Sequence, residues 1–543
     1  MTTTYDDLIL LTKVGRSSIL QIGNASANNF PLLVLAGSAE TSNVTKGSFQ
    51  ELDAISLLAP HTKFATRPPT LDAIPGAIKN ALRTCWYGRP GPTFIDLPAD
   101  MIQGKAPASF QLPKPDNLLV PSPPKSGGDP AYILKAAQLL QPARAPLLIV
   151  GKGAAYARAE TAIRELVERV GIHFLPTPMG KGIISDSNPL NVSSARSAAL
   201  KNADVVLVLG ARLNWMLHFG EPPKWSSKAK IIQVDISAEE IGHNAGSAEL
   251  GIVGDVNLVV QQLLSVLSNW RYTPSSIGSE FPKQLAESAK KNEAKAQKAA
   301  LTPTASAESF LTYQRAYHII KTTLESLTLP GSDNIVYVSE GANAMDISRS
   351  TFPLSHPRQR LDAGTYATMG VGMGYAIAAH EAYNSNESSN SKPKKIVALE
   401  GDSAFGFSAM EVETMARYRI PALIFVMNNS GIYHGDASSE SAWKTLQDQT
   451  AANNTKGSSS SPQGLRSTSL LYETRYEMLA AMCGGKGYFV RTEEDLEKAT
   501  REGFQNDVVT IVNVIVEPGV GKKIEFGWQK SSTDNKEAGQ AKL

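Results

Sequence analysis

Short apolar runs alternate with stretches of helical spacing along most of this chain. The runs Pro31–Gly37, Thr93–Leu97, Pro146–Val150, Ala203–Leu209, Lys230–Val234, Ile396–Leu399 and Ala422–Met427 span four to seven residues each. Their near-continuous hydrophobicity predicts strands buried on both faces, as in parallel sheets. Helical spacing covers residues 69–85, 158–170 and 408–419. In the last of these Met410, Met415 and Ala416 share one side, and Pro421 ends the segment. A strand, helix, strand order is a right-handed crossover, which leaves both strands parallel with their carboxyl ends on one edge.

The pattern divides the chain into three α/β units, each a doubly wound parallel sheet. Residues 1–105 form the first, 131–285 the second and 313–530 the third. Residues 106–130, rich in Pro, Ser and Gly, read as a linker. A second linker is expected over 286–312, where Ala286–Glu308 is charged, alanine-rich and partly helical in expectation. Two low-complexity inserts, Asn384–Ser391 and Asn453–Ser467, read as surface loops without chemistry, and residues 531–543 as a tail.

Composition removes several classes of function. A chain of 543 residues has room for about three ordinary domains, and 42% hydrophobic with 19% charged residues describes globular units with large cores. A net charge of +2 gives no reason to expect nucleic acid or an anionic membrane as partner. No apolar run approaches the roughly 18 residues of a membrane span, and the polar, acidic start Met1–Asp7 is unlike a secretory signal. Two cysteines, Cys85 and Cys483, are too few for a disulfide framework and imply a reducing compartment.

Candidate chemistry centres on Lys395–Tyr433. The first run there ends at Gly401-Asp402-Ser403 and the second at Asn428-Asn429, so the crossover brings Asp402 and Asn429 together across 27 positions. One carboxylate, one amide oxygen and a nearby loop carbonyl are hard oxygen donors suited to magnesium, which completes its octahedron with phosphate or water. Small residues at Gly401, Ser403 and Ala404 let backbone amides approach an anion at a helix start. Either dipeptide alone is more often an ordinary turn. The pair, with 24 residues between Ser403 and Asn428, asks for a diphosphate.

In this form the segment resembles the cofactor motif of the thiamine-diphosphate enzymes. The resemblance implies Asp402, Asn429 and the Gly431 carbonyl as magnesium ligands. Gly401, Ser403, Ala404, Ile432 and Tyr433 complete the cofactor contacts. Further stretches narrow the likeness to the 2-hydroxyacyl-CoA lyases and the related oxalyl-CoA decarboxylases, within an acetolactate-synthase-like superfamily. They are Ser339–Asp346 and Leu361–Gly374 in the third unit, and Gly151–Tyr156, Pro176–Gly182, Ala195–Ser197 and Gly210–Trp215 in the second. The glycines at 370, 372 and 374 permit close backbone approach to a ligand or a neighbouring helix. By resemblance Met369 holds the cofactor bent and the Ala367 carbonyl receives its aminopyrimidine. Lys152, Arg196 and Arg212 meet nucleotide phosphates, and Asp235 with Ile236 the ribose; CoA, ADP or FAD remain open as the nucleotide of that unit. Gly47–Glu51 and Thr62–Arg67 resemble an active-site loop, in which Gln50 and Glu51 face the substrate across a subunit boundary.

The implied reaction is cleavage of a 2-hydroxyacyl-CoA to formyl-CoA and an aldehyde one carbon shorter, as in fatty acid alpha-oxidation. Oxalyl-CoA decarboxylation and a non-catalytic, cofactor-binding paralogue are the alternatives. The family's pyrimidine-contacting glutamate belongs to a stretch with no recognised counterpart in Met1–Arg16, and Glu40 and Glu51 lie in later motifs. On this reading the first unit is incomplete at its start, and the chain is a poor catalyst or has an unnatural start. The family implies a homodimer or homotetramer. The end Ala541-Lys542-Leu543 is close to the Ser-Lys-Leu address, which points to a peroxisomal import receptor as partner, with the cytoplasm as the alternative.

Overall fold

All seven predicted runs are strands, and among the described residues eight further strands join them into three separate, wholly parallel sheets. A computed structural model describes residues 9–13, 18–49, 51–306, 309–329, 331–385, 393–456 and 464–520.

The first sheet has strands β1 (Ile9–Lys13), β2 (Leu32–Ser38), β3 (Phe64–Thr66) and β4 (Pro92–Pro98), in the order β1-β2-β4-β3. Strand β1 lies in a stretch for which sequence pattern offered no element, and it runs parallel to β2 from Ile9 opposite Leu33 to Lys13 opposite Gly37. The central sheet holds β5 (Pro146–Val150), β6 (His173–Pro176), β7 (Val205–Leu209), β8 (Lys230–Asp235) and β9 (Gly251–Val253), ordered β6-β5-β7-β8-β9. The third holds β10 (Ile335–Glu340), β11 (Arg360–Asp362), β12 (Lys395–Gly401), β13 (Leu423–Asn428), β14 (Lys486–Val490) and β15 (Thr510–Ile515), ordered β11-β10-β12-β13-β15-β14.

Strand order reverses at β5 in the central sheet and at β10 in the third. In open α/β sheets the crevice outside the carboxyl ends at such a reversal is where ligands bind. Both faces of the third sheet are covered. Leu399, Phe425, Met427 and Val512 pack on the side of the helices Tyr313–Leu327 and Glu493–Gln505. Ile396, Ala398, Ile424 and Val426 pack on the side of Gly372–Asn384, with Phe405 and Met415. Alternation of side chains across each strand builds two cores from one run, which is why the runs read as continuously apolar.

Two local expectations need correction, and a third gains its bounds. Where one helix was expected over 408–419, there are two, Asp402–Ser408 and Glu411–Arg417. The chain turns helical directly at the end of β12, with extended Gly401 as its cap, so Asp402 and Ser403 lie in a first helical turn. Met415 is buried as expected, but Met410 falls in the break and is 62% exposed; the buried partner is Phe405, edge-on to Tyr476. The partial helix expected in the linker is the end of a longer one, Phe281–Leu301, which covers residues 286–301 of it. Its alanines, lysines and glutamates are strong helix formers. Phe281 and Leu285 anchor it in the central core, and Ser194 hydrogen-bonds both Glu293 (2.7 Å) and Asn292 (2.7 Å).

The insert at Asn384–Ser391 is described only to residue 385. Of Asn453–Ser467, the helix Glu440–Lys456 takes in the start, and 457–463 lie outside the described residues. The tail with Ala541-Lys542-Leu543 also lies outside them. No helix among the described residues is long and apolar enough to cross a membrane.

Candidate active site at two sheet edges

Strands β12 and β13 are neighbours in register, Gly401 opposite Met427, so the residues just beyond them meet. The Gly431 amide donates both to Asp402 Oδ2 (3.3 Å) and to Asn429 Oδ1 (3.2 Å). One N–H thus reaches both side-chain oxygens that the sequence assigns to a cation. Asp402 and Asn429 are 3% and 4% exposed. Burial pushes the Asp402 carboxyl up to about 7, against the backbone amides of Ser403, Gly431, Ser430 and Asn429, and no basic side chain is among the groups acting on it. A buried carboxylate without a counter-charge, beside an amide oxygen, fits a divalent cation.

The loop after β13 is tightly folded. Ser430 and Tyr433 take positive φ, and the Tyr433 carbonyl accepts from Asn429 Nδ2 and Asn343 Nδ2, both at 2.9 Å. Ile432 N–H donates to Thr468 O at 2.9 Å. A side chain at Gly431 would place a carbon 2.3 Å from the His434 carbonyl, so only glycine fits. Asn343, which sequence reasoning did not single out, therefore ties the end of β10 to this loop.

Met369 reaches the same place from the segment after β11. Ser403 Oγ contacts Met369 Sδ at 3.8 Å, and Ala367, two residues earlier, is exposed with φ +55. Glu340, at the end of β10, accepts the amides of Gly370 and Gly372. It sits directly opposite Glu400 of β12. Both are fully buried, and neither Glu400 oxygen has a hydrogen-bond partner. Burial raises the Glu340 carboxyl to about 7, against the Gly372, Gly370 and Val371 amides; burial and then Glu340 push Glu400 well above the carboxylate range. A Cβ on Gly372 would lie 2.3 and 2.6 Å from the Glu400 oxygens and 2.7 Å from Glu340 Oε2. The glycine expected to admit a ligand or a helix admits two carboxyl groups. Gly374 faces open space. The signal for this pair was in the sequence: a Glu-Gly dipeptide stands at the carboxyl end of both apolar runs, Glu340-Gly341 after β10's and Glu400-Gly401 in β12.

In the first unit Glu51 is held within its own loop. Its carboxylate accepts the amides of Thr45, Gly47 (2.9 Å) and Ser48 (3.0 Å) in its own loop, and those backbone bonds hold it below the usual glutamate range. Gln50 lies outside the described residues.

A second cluster occupies the reversal of the central sheet. Gly151 and Gly153 pack against Gly210 so closely that a Cβ on either would approach its backbone within 3 Å, and Lys152 stands between them. Lys152 Nζ lies 4.3 Å from the Phe30 ring centroid and 5.5 Å from that of Tyr156. Burial, then repulsion from Arg212 and Arg89, draws its pKa down to about 7. Arg212 donates to Ala27 O at 2.6 Å, and Arg89, missed in the sequence, pairs with Glu240. Asp235 closes β8, accepts Ser237 N–H at 2.9 Å and is raised chiefly by burial; Ile236 beside it is 40% exposed. Lys152, Arg212 and Asp235 thus share one charged edge with Arg89 and Glu240. Arg196 is not linked to them: it contacts His218 Nε2 at 3.1 Å and donates to Met216 O.

Comparison with known proteins bears on both sites. Residues 133–263 match the family described as thiamine pyrophosphate enzyme, central domain, and residues 340–514 match thiamine pyrophosphate enzyme, C-terminal TPP binding domain. The chain is 40% identical over 514 residues to 2-hydroxyacyl-CoA lyase 1 of Homo sapiens, covering 93% of this chain and 83% of that protein. It is 39% identical over 521 residues to 2-hydroxyacyl-CoA lyase of Saccharomyces cerevisiae (94% and 84%). It is 35% identical over 515 residues to oxalyl-CoA decarboxylase of Escherichia coli (93% and 82%).

Proposed function

We propose, since this chain belongs to the thiamine pyrophosphate enzymes in the group of the 2-hydroxyacyl-CoA lyases, that it cleaves a 2-hydroxyacyl-CoA to formyl-CoA and an aldehyde one carbon shorter. The likeness along 514 residues to a protein named for that activity carries the reading. When bound, thiamine diphosphate supplies the electron sink that lets the bond beside the thioester carbonyl break.

The chain's own part is to hold and orient. Asp402, Asn429 and the Gly431 carbonyl would hold magnesium, with Gly401, Ser403 and Ala404 near the diphosphate and Ile432 and Tyr433 closing the loop. The Ala367 carbonyl and the Met369 side chain would meet the organic rings, and Gln50 and Glu51 the substrate. Lys152 and Arg212 offer charge for the nucleotide phosphates of CoA or ADP, Asp235 and Ile236 a ribose site, and Arg196 a separate cationic point. Exposed Phe49 (85%), Phe407 (63%), Met410 (62%) and Met482 (67%) favour a homo-oligomer that covers them. Import into peroxisomes through Ala541-Lys542-Leu543 is part of the same proposal.

The test is to give purified protein thiamine diphosphate and Mg2+, then a 2-hydroxyacyl-CoA, and follow aldehyde and formyl-CoA. Carbon dioxide from oxalyl-CoA in place of those products identifies a decarboxylase. Cofactor uptake with neither product identifies a binding protein.

A further inference from the structure

The segment that carries Ala367 and Met369 is anchored at both ends, and its front anchor belongs to other units. Every polar group of Thr365 is engaged from outside. Its N–H donates to Asn28 Oδ1 (2.6 Å) of the first unit. Its Oγ1 accepts from Asn214 Nδ2 (3.3 Å) and Arg212 Nη2 (3.4 Å), and its carbonyl from Trp215 Nε1 (2.9 Å), all of the central unit. Gly364 packs so closely on Asn28 that a Cβ would lie 2.2 Å from Oδ1. Asn28 Nδ2 in turn donates to Asn24 Oδ1 (2.8 Å), and Asn24 Nδ2 to the Tyr375 hydroxyl (2.6 Å) in the helix that follows Gly372. The ring of contacts closes behind the turn, where Glu340 grips Gly370 and Gly372.

Between these anchors Ala367 keeps a left-handed conformation that costs a non-glycine residue roughly 1 kcal/mol or more. Such a turn persists only where its surroundings over-determine it. We propose that Thr365 is a positioning residue, through which Trp215 and Asn214 of the central unit fix the Ala367–Met369 turn. The inference rests on the reading that this turn faces thiamine diphosphate.

Two conservative variants of the full chain test it. Thr365→Val deletes the hydroxyl acceptor at nearly constant shape, and Trp215→Phe deletes the indole donor while keeping an aromatic ring. Hydrogen exchange of the cofactor-free protein should show the amides of residues 364–371 exchanging about 3–10-fold faster in each variant, the worth of one hydrogen bond, with β10 and β12 unchanged. Calorimetry with Mg2+ should show thiamine diphosphate binding weakened by a similar factor, shrinking below about twofold when Met369→Leu is already present. Unchanged exchange, loss of protection spread over β10 and β12, or a binding loss of equal size in both backgrounds overturns the proposal. Failure of the unaltered chain to take up thiamine diphosphate overturns the site reading and this inference with it, whereas normal uptake with unaffected variants overturns this inference alone.

Discussion

Gly372→Ala and Gly374→Ala make the same chemical change two residues apart in the first turn of one helix, yet opposite effects are expected. Neither glycine has a positive φ, so backbone strain plays no part. At Gly374 the new methyl meets nothing within 4 Å, and replacing glycine in a helix gains about 0.5–1 kcal/mol. At Gly372 it would lie 2.3–2.7 Å from three carboxyl oxygens. Those oxygens end flexible side chains, but Glu340 and Glu400 are 1% and 0% exposed and have nowhere open to swing. Overpacking of this kind costs about 1–3 kcal/mol, so a gap of roughly 2 kcal/mol or more should separate the variants. In a unit of about 200 residues that corresponds to a difference of roughly 4–8 °C in the calorimetric transition assigned to the third unit. Adding Glu400→Ala should relieve most of the Gly372→Ala defect, because it removes the two nearest oxygens. Equal midpoints for the two glycine variants, or no relief in the double variant, would refute the claim that paired carboxyls, rather than a ligand or helix, require this glycine.

Asp402→Ala and Asn429→Ala should each weaken metal-dependent thiamine diphosphate binding; for the carboxylate, about 10–100-fold is expected, the scale of a lost charge-assisted contact, measured by calorimetry at fixed Mg2+. Lys152, depressed to about 7 by burial and its arginine neighbours, is protonated below that pH and neutral above it. Binding of ADP as a probe should therefore weaken as pH rises from 6 to 9, and Lys152→Met should flatten that slope; an unchanged slope removes Lys152 from the groove. Glu493, held down to about 2 first by its hydrogen bond to Arg315 and then by Thr304, has a folded pKa below its unfolded one. Its stabilisation is complete above about pH 4.5 and lost as pH falls toward 2, so the thermal midpoint of Glu493→Gln should drop less than that of the unaltered chain between pH 5 and 3.

The seven predicted strands were legible because a strand buried on both faces writes itself as an unbroken apolar run; short or polar-interrupted ones such as β3, β9 and β11 were not. The meeting of Asp402 and Asn429 was legible for a related reason, since crossover handedness fixes which strand ends share an edge. Side-chain roles were less so. Met410 has the spacing of a core residue, but helical periodicity does not say where a helix breaks, and the break put Phe405 in its place. Glu51 reads as part of a loop that meets substrate, and the three backbone amides that hold its carboxylate are invisible to residue type. Arg89, Asn343 and Thr365 act through partners more than 80 positions away, and no local pattern encodes such pairings.

Thr365 joins Asn28 across 337 positions and Trp215 across 150. Contacts of such separation form late, because loop closure must come before any gain from them. A nascent or damaged chain could complete its last sheet and still have a slack turn at Ala367. Vitamin loading would then report that distant parts of the polypeptide have found one another, and misassembled molecules would be screened out before any chemistry began.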